Sequence, residues 1–246
     1  MHPIVIIPAR LAASRLPGKP LADIAGTPMI VRVLRQAEAA GVGPVAVAAG
    51  DPEIVEVVEA AGGRAVLTDP ALPSGSDRVQ AALPALDPDG RFDAVINLQG
   101  DMPFVAPGVL AACVAELGRG ADIATVVTPE ASPADRANPA VVKAVLAMDA
   151  DGRGGRALYF TRSTLYGEGP IWRHVGVYGY RREALARFVA APPSPLERRE
   201  GLEQLRALEL GLTIRAAVAD AAPIAVDTPE DLAAARAHAE GRGSNA

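Results

Sequence analysis

An α/β fold with a mostly parallel sheet is what this sequence predicts, and three observations predict it. Short β-branched apolar runs, residues 4–7 first and Ala94–Leu98 later, do not alternate with polar residues, as befits strands buried on both faces. Helical patterns stand between such runs, which implies βαβ units with right-handed crossovers. Half of the 246 residues are hydrophobic and only 4% are aromatic, so Ala, Val and Leu must fill a sizeable core.

In order along the chain, residues 4–7 form the first strand, and a polar loop containing Gly and Pro runs from Pro8 to Pro20. Thr27-Pro28 opens a helix with Ile30, Val33, Leu34 and Ala37 on one face, and Gly41 ends it. Residues 45–48 make a second strand, Asp51-Pro52-Glu53 opens a second helix, and Ala65–Leu67 is a third strand. The centre is less regular: residues 141–147, 156–160 and 174–180 read as strands, some of them antiparallel. Residues 196–210 read as one charged amphipathic helix, whose leucines need a covering surface, either the chain's own sheet or a second subunit. A late strand over 213–218 and a helix over 228–239 follow, and the small polar end, residues 241–246, reads as a frayed tail. One domain over residues 1–246, with an inserted strand–helix subregion at about 156–211, is the simplest organisation.

Composition excludes several classes. A net charge of −5 argues against a general nucleic-acid binder. No apolar run approaches the roughly 18 residues that a membrane helix needs, and the opening MHPIVIIPAR has the wrong flanks for a signal peptide. A single cysteine, Cys113, cannot form an intrachain disulfide and fits a reducing cytoplasm; among Ala and Val it reads as a small core residue.

Three segments carry candidate chemistry. The loop after the first strand, PARLAASRLPGKP, holds Arg10, Arg15, Gly18 and Lys19; cations at the carboxyl end of a strand suit a polyphosphate. It matches neither GxxxxGK[ST] nor GxGxxG, so a P-loop and a dinucleotide fingerprint are absent and a nicotinamide dehydrogenase is disfavoured. Gln99-Gly100-Asp101 follows Ala94–Leu98, where Asp101 is a fitting Mg²⁺ ligand or the cap of a turn. Val226-Asp227-Thr228-Pro229-Glu230-Asp231 precedes the last helix, and on the residues alone helix capping is the stronger reading for Asp227 or Thr228.

Taken together and in this order, PAR…SRLPGKPL, QGD and VDTPEDL resemble the 3-deoxy-manno-octulosonate (Kdo) cytidylyltransferases, from Ile6 to Arg236. Further matching stretches are AAGG at 60–63, SGSDR at 74–78, Asn138-Pro139 with Val142-Lys143, ALYFTR at 157–162, HVGVYGYR at 174–181, PSPLE at 193–197 and LEQLR at 202–206. RLPGK is shared with sialic-acid cytidylyltransferases, whereas HVGVYGYR, PSPLE and LEQLR are more specific. The chain departs from the family pattern at Met102, where Glu is common, in SGSDR against SGTER, at Arg198 in place of His, and in a short 163–173 segment. The first departure implies that the family's Glu is not an essential metal ligand.

The resemblance implies a Rossmann-like nucleotidyltransferase sheet with an inserted antiparallel strand–helix dimerisation region. It implies a cytoplasmic homodimer that transfers CMP from CTP to Kdo for lipopolysaccharide biosynthesis, with no nucleic-acid or membrane partner. Arg10, Arg15, Lys19 and Gln99 would bind CTP, and Lys19, Asp101 and Asp227 would be catalytic. Asp101 and Asp227 would hold Mg²⁺, because two converging carboxylates repel unless a cation lies between them. Arg78, Gln99, Arg162, His174, Tyr178, Glu203 and Gln204 would bind the sugar acid. The rival readings are a cytidylyltransferase for sialic acid or an 8-amino analogue of Kdo, and a non-catalytic nucleotide-binding module.

Overall fold

The computed structural model describes residues 1–12, 15–130, 132–167 and 169–243. Ala13 and Ser14 of the basic loop, and residues 244–246 of the expected tail, lie outside these. The chain folds as two compact units: one comprises residues 2–93, 97–110 and 223 onward, the other residues 94–96 and 111–222 with Met1.

In the first unit, β1 (Pro3–Ala9) is buried along its whole length, as its unbroken apolar run requires. A short ribbon, β2 (Asp23–Ile24) with β3 (Thr27–Pro28), precedes α1 (Met29–Ala39). The helix therefore starts just after Pro28 and buries Met29, Ile30, Val33, Leu34 and Ala37 as one stripe. Gly41, at φ 62°, turns the chain out of it into β4 (Val45–Ala49). Next come α2 (Pro52–Ala60), with Pro52 in its first turn, β5 (Ala65–Leu67) and α3 (Gly75–Leu86). The strand order is β5-β4-β1, with both pairings parallel. The division between units falls within β6 (Ala94–Leu98) and within α4 (Pro107–Gly118).

The second unit contains β7 (Ile123–Glu130), α5 (Pro133–Ala137), β8 (Lys143–Met148), β9 (Gly154–Thr161) and β10 (Ile171–Arg181). Then follow α6 (Arg182–Ala190), α7 (Pro195–Glu200), α8 (Gln204–Glu209) and β11 (Ile214–Val218). Its strands run β10-β7-β11-β9-β8. Within the second unit β11 lies parallel to β7, while β10–β7, β11–β9, β8–β9 and β10–β8 are antiparallel. Parallel pairing thus prevails in the first unit and antiparallel pairing in the second. Cys113 is fully buried, and burial pushes its thiol up to about 12, so it is a core residue as expected.

The stretch expected as one helix over 196–210 is two. Gly201 takes the left-handed conformation at φ 64° and closes α7, and the chain restarts at α8. A bidentate pair joins the two pieces: Arg206 Nη2 and Nε donate to Glu197 Oε1 and Oε2 at 2.6 and 2.8 Å. Arg206 also lies over the Phe188 ring, 4.5 Å from its centroid. Within the chain Leu202 and Leu205 are buried, while Leu196 and Leu208, the other leucines of the stripe, are half-buried. The last helix, α9 (Pro229–Gly243), belongs to the first unit, where Arg236 Nε donates to the Asp23 carbonyl at 2.9 Å.

Candidate active site

The first unit contains a cavity of about 340 Å³ at the carboxyl ends of β1 and β6, lined by the basic loop, Leu72 to Gly75, Arg78, Gln99, Asp101 and Asp227. Strand ends are where open α/β sheets gather ligands. Several local choices shape it. The Leu11 amide donates to Asp51 Oδ2 at 2.7 Å, so the side chain expected to open α2 instead ties down the loop after β1. Gly100 permits close packing: a Cβ there would sit 3.0 Å from the Pro8 carbonyl oxygen. The Val226 amide donates to the Asp101 carbonyl at 2.9 Å, which fastens the segment before α9 to the loop after β6.

Lys19 occupies the centre. Its Nζ donates to Asp101 Oδ2 and to Asp227 Oδ1, each at 3.0 Å, and Arg15 Nη2 lies 3.3 Å from the same Asp227 oxygen. Two carboxylates and two cations from three separated segments therefore meet at one point. Burial works to lower the Lys19 pKa, but Asp101 first and Asp227 second overcome it and hold the ammonium above its ordinary value. Burial raises the Asp101 carboxyl, Lys19 opposes that, and Asp227 adds to the rise. A divalent cation would relieve this repulsion, so the pair has the chemistry of a shared metal site.

At the third motif the helix cap falls on Thr228 and Asp231. Thr228 Oγ1 accepts from the Asp231 amide at 3.2 Å, and Asp231 Oδ2 accepts from the Thr228 and Asp227 amides at 2.9 and 3.0 Å. These two residues form the capping box of α9. The Asp227 side chain is thereby left to face Lys19 and Arg15.

The remaining first-unit candidates also line the cavity. Arg10 Nη1 donates to the Leu72 carbonyl at 3.4 Å. Gln99 Nε2 donates to Asn97 Oδ1 at 2.9 Å. Arg78 is only 2% exposed, and its Nη1 donates to Thr68 Oγ1 and the Asp69 carbonyl at 2.6 and 3.0 Å. It braces the 68–70 turn while bordering the cavity, and burial, then Arg10, lowers its pKa. Met102 is buried, so the residue standing where the family has Glu is packed in the interior.

The second unit holds the other sugar candidates. A register shift in β10 between Val175 and Tyr178 sets Tyr178 opposite Thr125. The His174 and Tyr178 rings then lie 5.4 Å apart, and His174 also meets Phe160 at 5.2 Å. Thr125 Oγ1 lies 2.9 Å from His174 Nε2 and 2.8 Å from the Val177 carbonyl, and an Nε2–H tautomer is the one that lets the hydroxyl accept from the ring while donating to the carbonyl. Burial depresses the imidazole from 6.5 to about 4 and keeps it neutral. Burial first, then Tyr180 and Glu203, raise the Tyr178 hydroxyl well above its ordinary value, which places Glu203 in the same neighbourhood. Gln204 is buried, and its Nε2 has no hydrogen-bond partner among the described residues. Arg162 donates from Nε to the Glu200 carbonyl and from Nη1 to the Pro139 carbonyl, at 3.0 and 3.1 Å. Thr125 escaped sequence reasoning because a lone Thr inside an apolar strand gives no signal.

Comparison with known proteins identifies the family to which this chain belongs. Residues 4–214 match the family model described as cytidylyltransferase. The chain is 58% identical to the 3-deoxy-manno-octulosonate cytidylyltransferase of Rhodospirillum centenum over 96% of this chain and 93% of that protein. It is likewise 58% identical to that of Parvibaculum lavamentivorans, over 96% and 92%. Among solved structures, it is similar to a CMP:2-keto-3-deoxy-manno-octonic acid synthetase complexed with CTP, with a TM-score of 0.89, 36% identity, and coverage of 98% and 100%. A 4-diphosphocytidyl-2C-methyl-D-erythritol synthase from Anaerococcus prevotii shares the fold at 14% identity and a TM-score of 0.65, over 97% and 98%. Sequence, family model and fold agree, and the chain belongs to the 3-deoxy-manno-octulosonate cytidylyltransferase family of nucleotidyltransferases.

Proposed function

We propose that this chain transfers CMP from CTP to 3-deoxy-D-manno-octulosonate, giving CMP-Kdo and pyrophosphate for lipopolysaccharide biosynthesis. The observation that carries the reading is the meeting of Lys19, Arg15, Asp101 and Asp227 at the strand ends of a chain from this family. The anomeric hydroxyl oxygen attacks the α-phosphorus, the bond from that phosphorus to the α–β bridging oxygen breaks, and pyrophosphate leaves with the electron pair. The hydroxyl proton is lost to solvent. The chemistry asks for positioning and charge neutralisation and needs no covalent nucleophile. Arg10, Arg15 and Lys19 neutralise the triphosphate, and Gln99 and Arg78 border the nucleotide and the incoming sugar. Arg162, His174, Tyr178, Glu203 and Gln204 are assigned to the sugar acid: the Arg to its carboxylate, the others to its hydroxyls.

Asp101 and Asp227 are assigned to Mg²⁺. Their oxygens face a common point now spanned by Lys19, and among the described residues no cluster of three or more His, Cys, Asp and Glu side chains competes. A two-carboxylate set suits Mg²⁺, which commonly takes most of its ligands from water and phosphate. When bound there, the ion supplies charge neutralisation at the phosphates and a lower pKa for the attacking hydroxyl. We extend the reading to a cytoplasmic homodimer, which rests on the family resemblance. No described helix is long and apolar enough to cross a membrane.

The test is pyrophosphate release with CTP, UTP, ATP and GTP, each with and without the octulosonate, sialic acid and the 8-amino octulosonate. Turnover is expected with CTP and the octulosonate. Equal turnover with ATP, or release only with another sugar acid, would replace this reading.

A further inference from the structure

We propose that Lys143 is a positioning residue for Arg162, and so for the sugar-acid side of the reaction. The proposal rests on the functional reading above, in which Arg162 meets the sugar carboxylate. Lys143 opens β8 and is fully buried. Its Nζ forms no ion pair within 4 Å among the described residues and donates instead to two main-chain carbonyls: Asn138 at 2.7 Å and Arg162 at 3.0 Å. Burying an ammonium against carbonyls alone is costly, and a methionine would fill the space at less expense. Burial first, then the positive charge of Arg162, hold this ammonium below its ordinary pKa.

What the ammonium secures is the far end of β9. Glu200 completes the clamp: its Oε2 accepts from the Arg162 amide at 2.9 Å and its Oε1 from Thr161 Oγ1 at 3.1 Å. The Arg162 amide and carbonyl are thus held by Glu200 and Lys143, while its Nε and Nη1 are held by the Glu200 and Pro139 carbonyls. Among the described residues its Nη2 donates to none, and it is the part of the guanidinium left for a ligand. Both the backbone and one side of the guanidinium are fixed, so the unspent edge keeps one direction. Lys143 touches no ligand in this scheme and acts only through Arg162.

Steady-state kinetics of the full-length protein test this. Lys143→Met keeps the buried volume and removes the donor. The KM for the octulosonate is expected to rise about tenfold, the effect of losing one charge-assisted hydrogen bond, while the KM for CTP stays within about twofold. In an Arg162→Ala background, adding Lys143→Met is expected to change nothing further. Glu200→Ala, at a half-buried position, gives the same sugar-only pattern and serves as the test should Lys143→Met not fold. An unchanged KM for the sugar, an equal rise in both KM values, or full additivity with Arg162→Ala overturns the proposal. A wild-type protein that releases no pyrophosphate from CTP and the octulosonate sinks the functional reading first, and this inference with it.

Discussion

Two charge clusters in this molecule look alike in composition and differ in how they are enclosed. In the second unit, Glu197 and Arg206 form a closed pair: both are nearly buried, the guanidinium matches the carboxylate with two hydrogen bonds, and an aromatic ring covers it. Burial works to raise the Glu197 carboxyl, and Arg206 with the Ser194 amide overrides it and holds it low. In the first unit, Lys19 is shared by two carboxylates, a further cation stands beside one of them, and Asp227 is 40% exposed. The pair in the second unit ties α7 to α8, and its remaining hydrogen bonds go to neighbouring main chain: the Ser194 amide donates to Glu197 Oε2 at 2.9 Å and Arg206 Nη1 donates to the Ala191 carbonyl at 3.1 Å. The cluster in the first unit shares one ammonium between two carboxylates at a cavity wall, and in the reading proposed above its charges pass to phosphates and a metal. Closure and water exclusion fit a structural ion pair, whereas charges shared at a cavity wall are the pattern that motivates the proposed functional reading.

The largest expected effect breaks the first-unit cluster. Asp227→Asn and Asp101→Asn should each lower kcat/KM by about two to three orders of magnitude while melting within a few degrees of wild type. Because Thr228 and Asp231 cap α9, Asp227 is not needed for the helix. Mg²⁺ titration of pyrophosphate release, beside a melting curve, checks both halves, and wild-type activity in Asp227→Asn would reduce the cluster to surface charge. The next effect falls on the second unit. Arg206→Met strands a buried Glu197 and should cost about 3–5 kcal/mol in urea unfolding, with part of the loss recovered when Glu197→Gln is added. A loss of activity without loss of stability would make Arg206 part of the site.

The smallest effect concerns pH. The folded pKa of His174, about 4, lies below its unfolded value of 6.5, so the unfolded chain takes up the proton first. The stability that neutral His174 contributes is complete above about pH 6.5 and drains away as pH falls toward about 4. Melting temperatures of wild type and His174→Gln between about pH 7 and pH 4.5 should fall more steeply for wild type. Parallel curves would mean that another group carries the acid sensitivity.

The parallel first unit was legible because its strands are unbroken apolar runs and its helices carry their own start signals, as Pro52 does for α2. The single helix expected over 196–210 failed at Gly201: an apolar and charged period runs through it, but only the backbone reveals a left-handed residue. The basic loop, Asp101 and Asp227 were legible as motifs, yet capping outweighed metal binding for Asp227 on local grounds. The contact that frees it, between Thr228 and Asp231, competes within the same six residues, and sequence alone does not rank the two aspartates. Thr125 and the contacts of Arg162 were not legible, because they depend on strand register across a sheet and, for Glu200, on where α7 ends beside β9.

The hydrogen bond from the Val226 amide to the Asp101 carbonyl runs between main chains. The spacing of the two acidic positions is thus written into the backbone and does not depend on which side chains stand there. For a protein engineer this is a socket with changeable pins. If the proposed Mg²⁺ assignment holds, replacing one aspartate by histidine or asparagine alters the hardness of the ligand set while this backbone tie stays in place, so ion preference can be screened without rebuilding the loops.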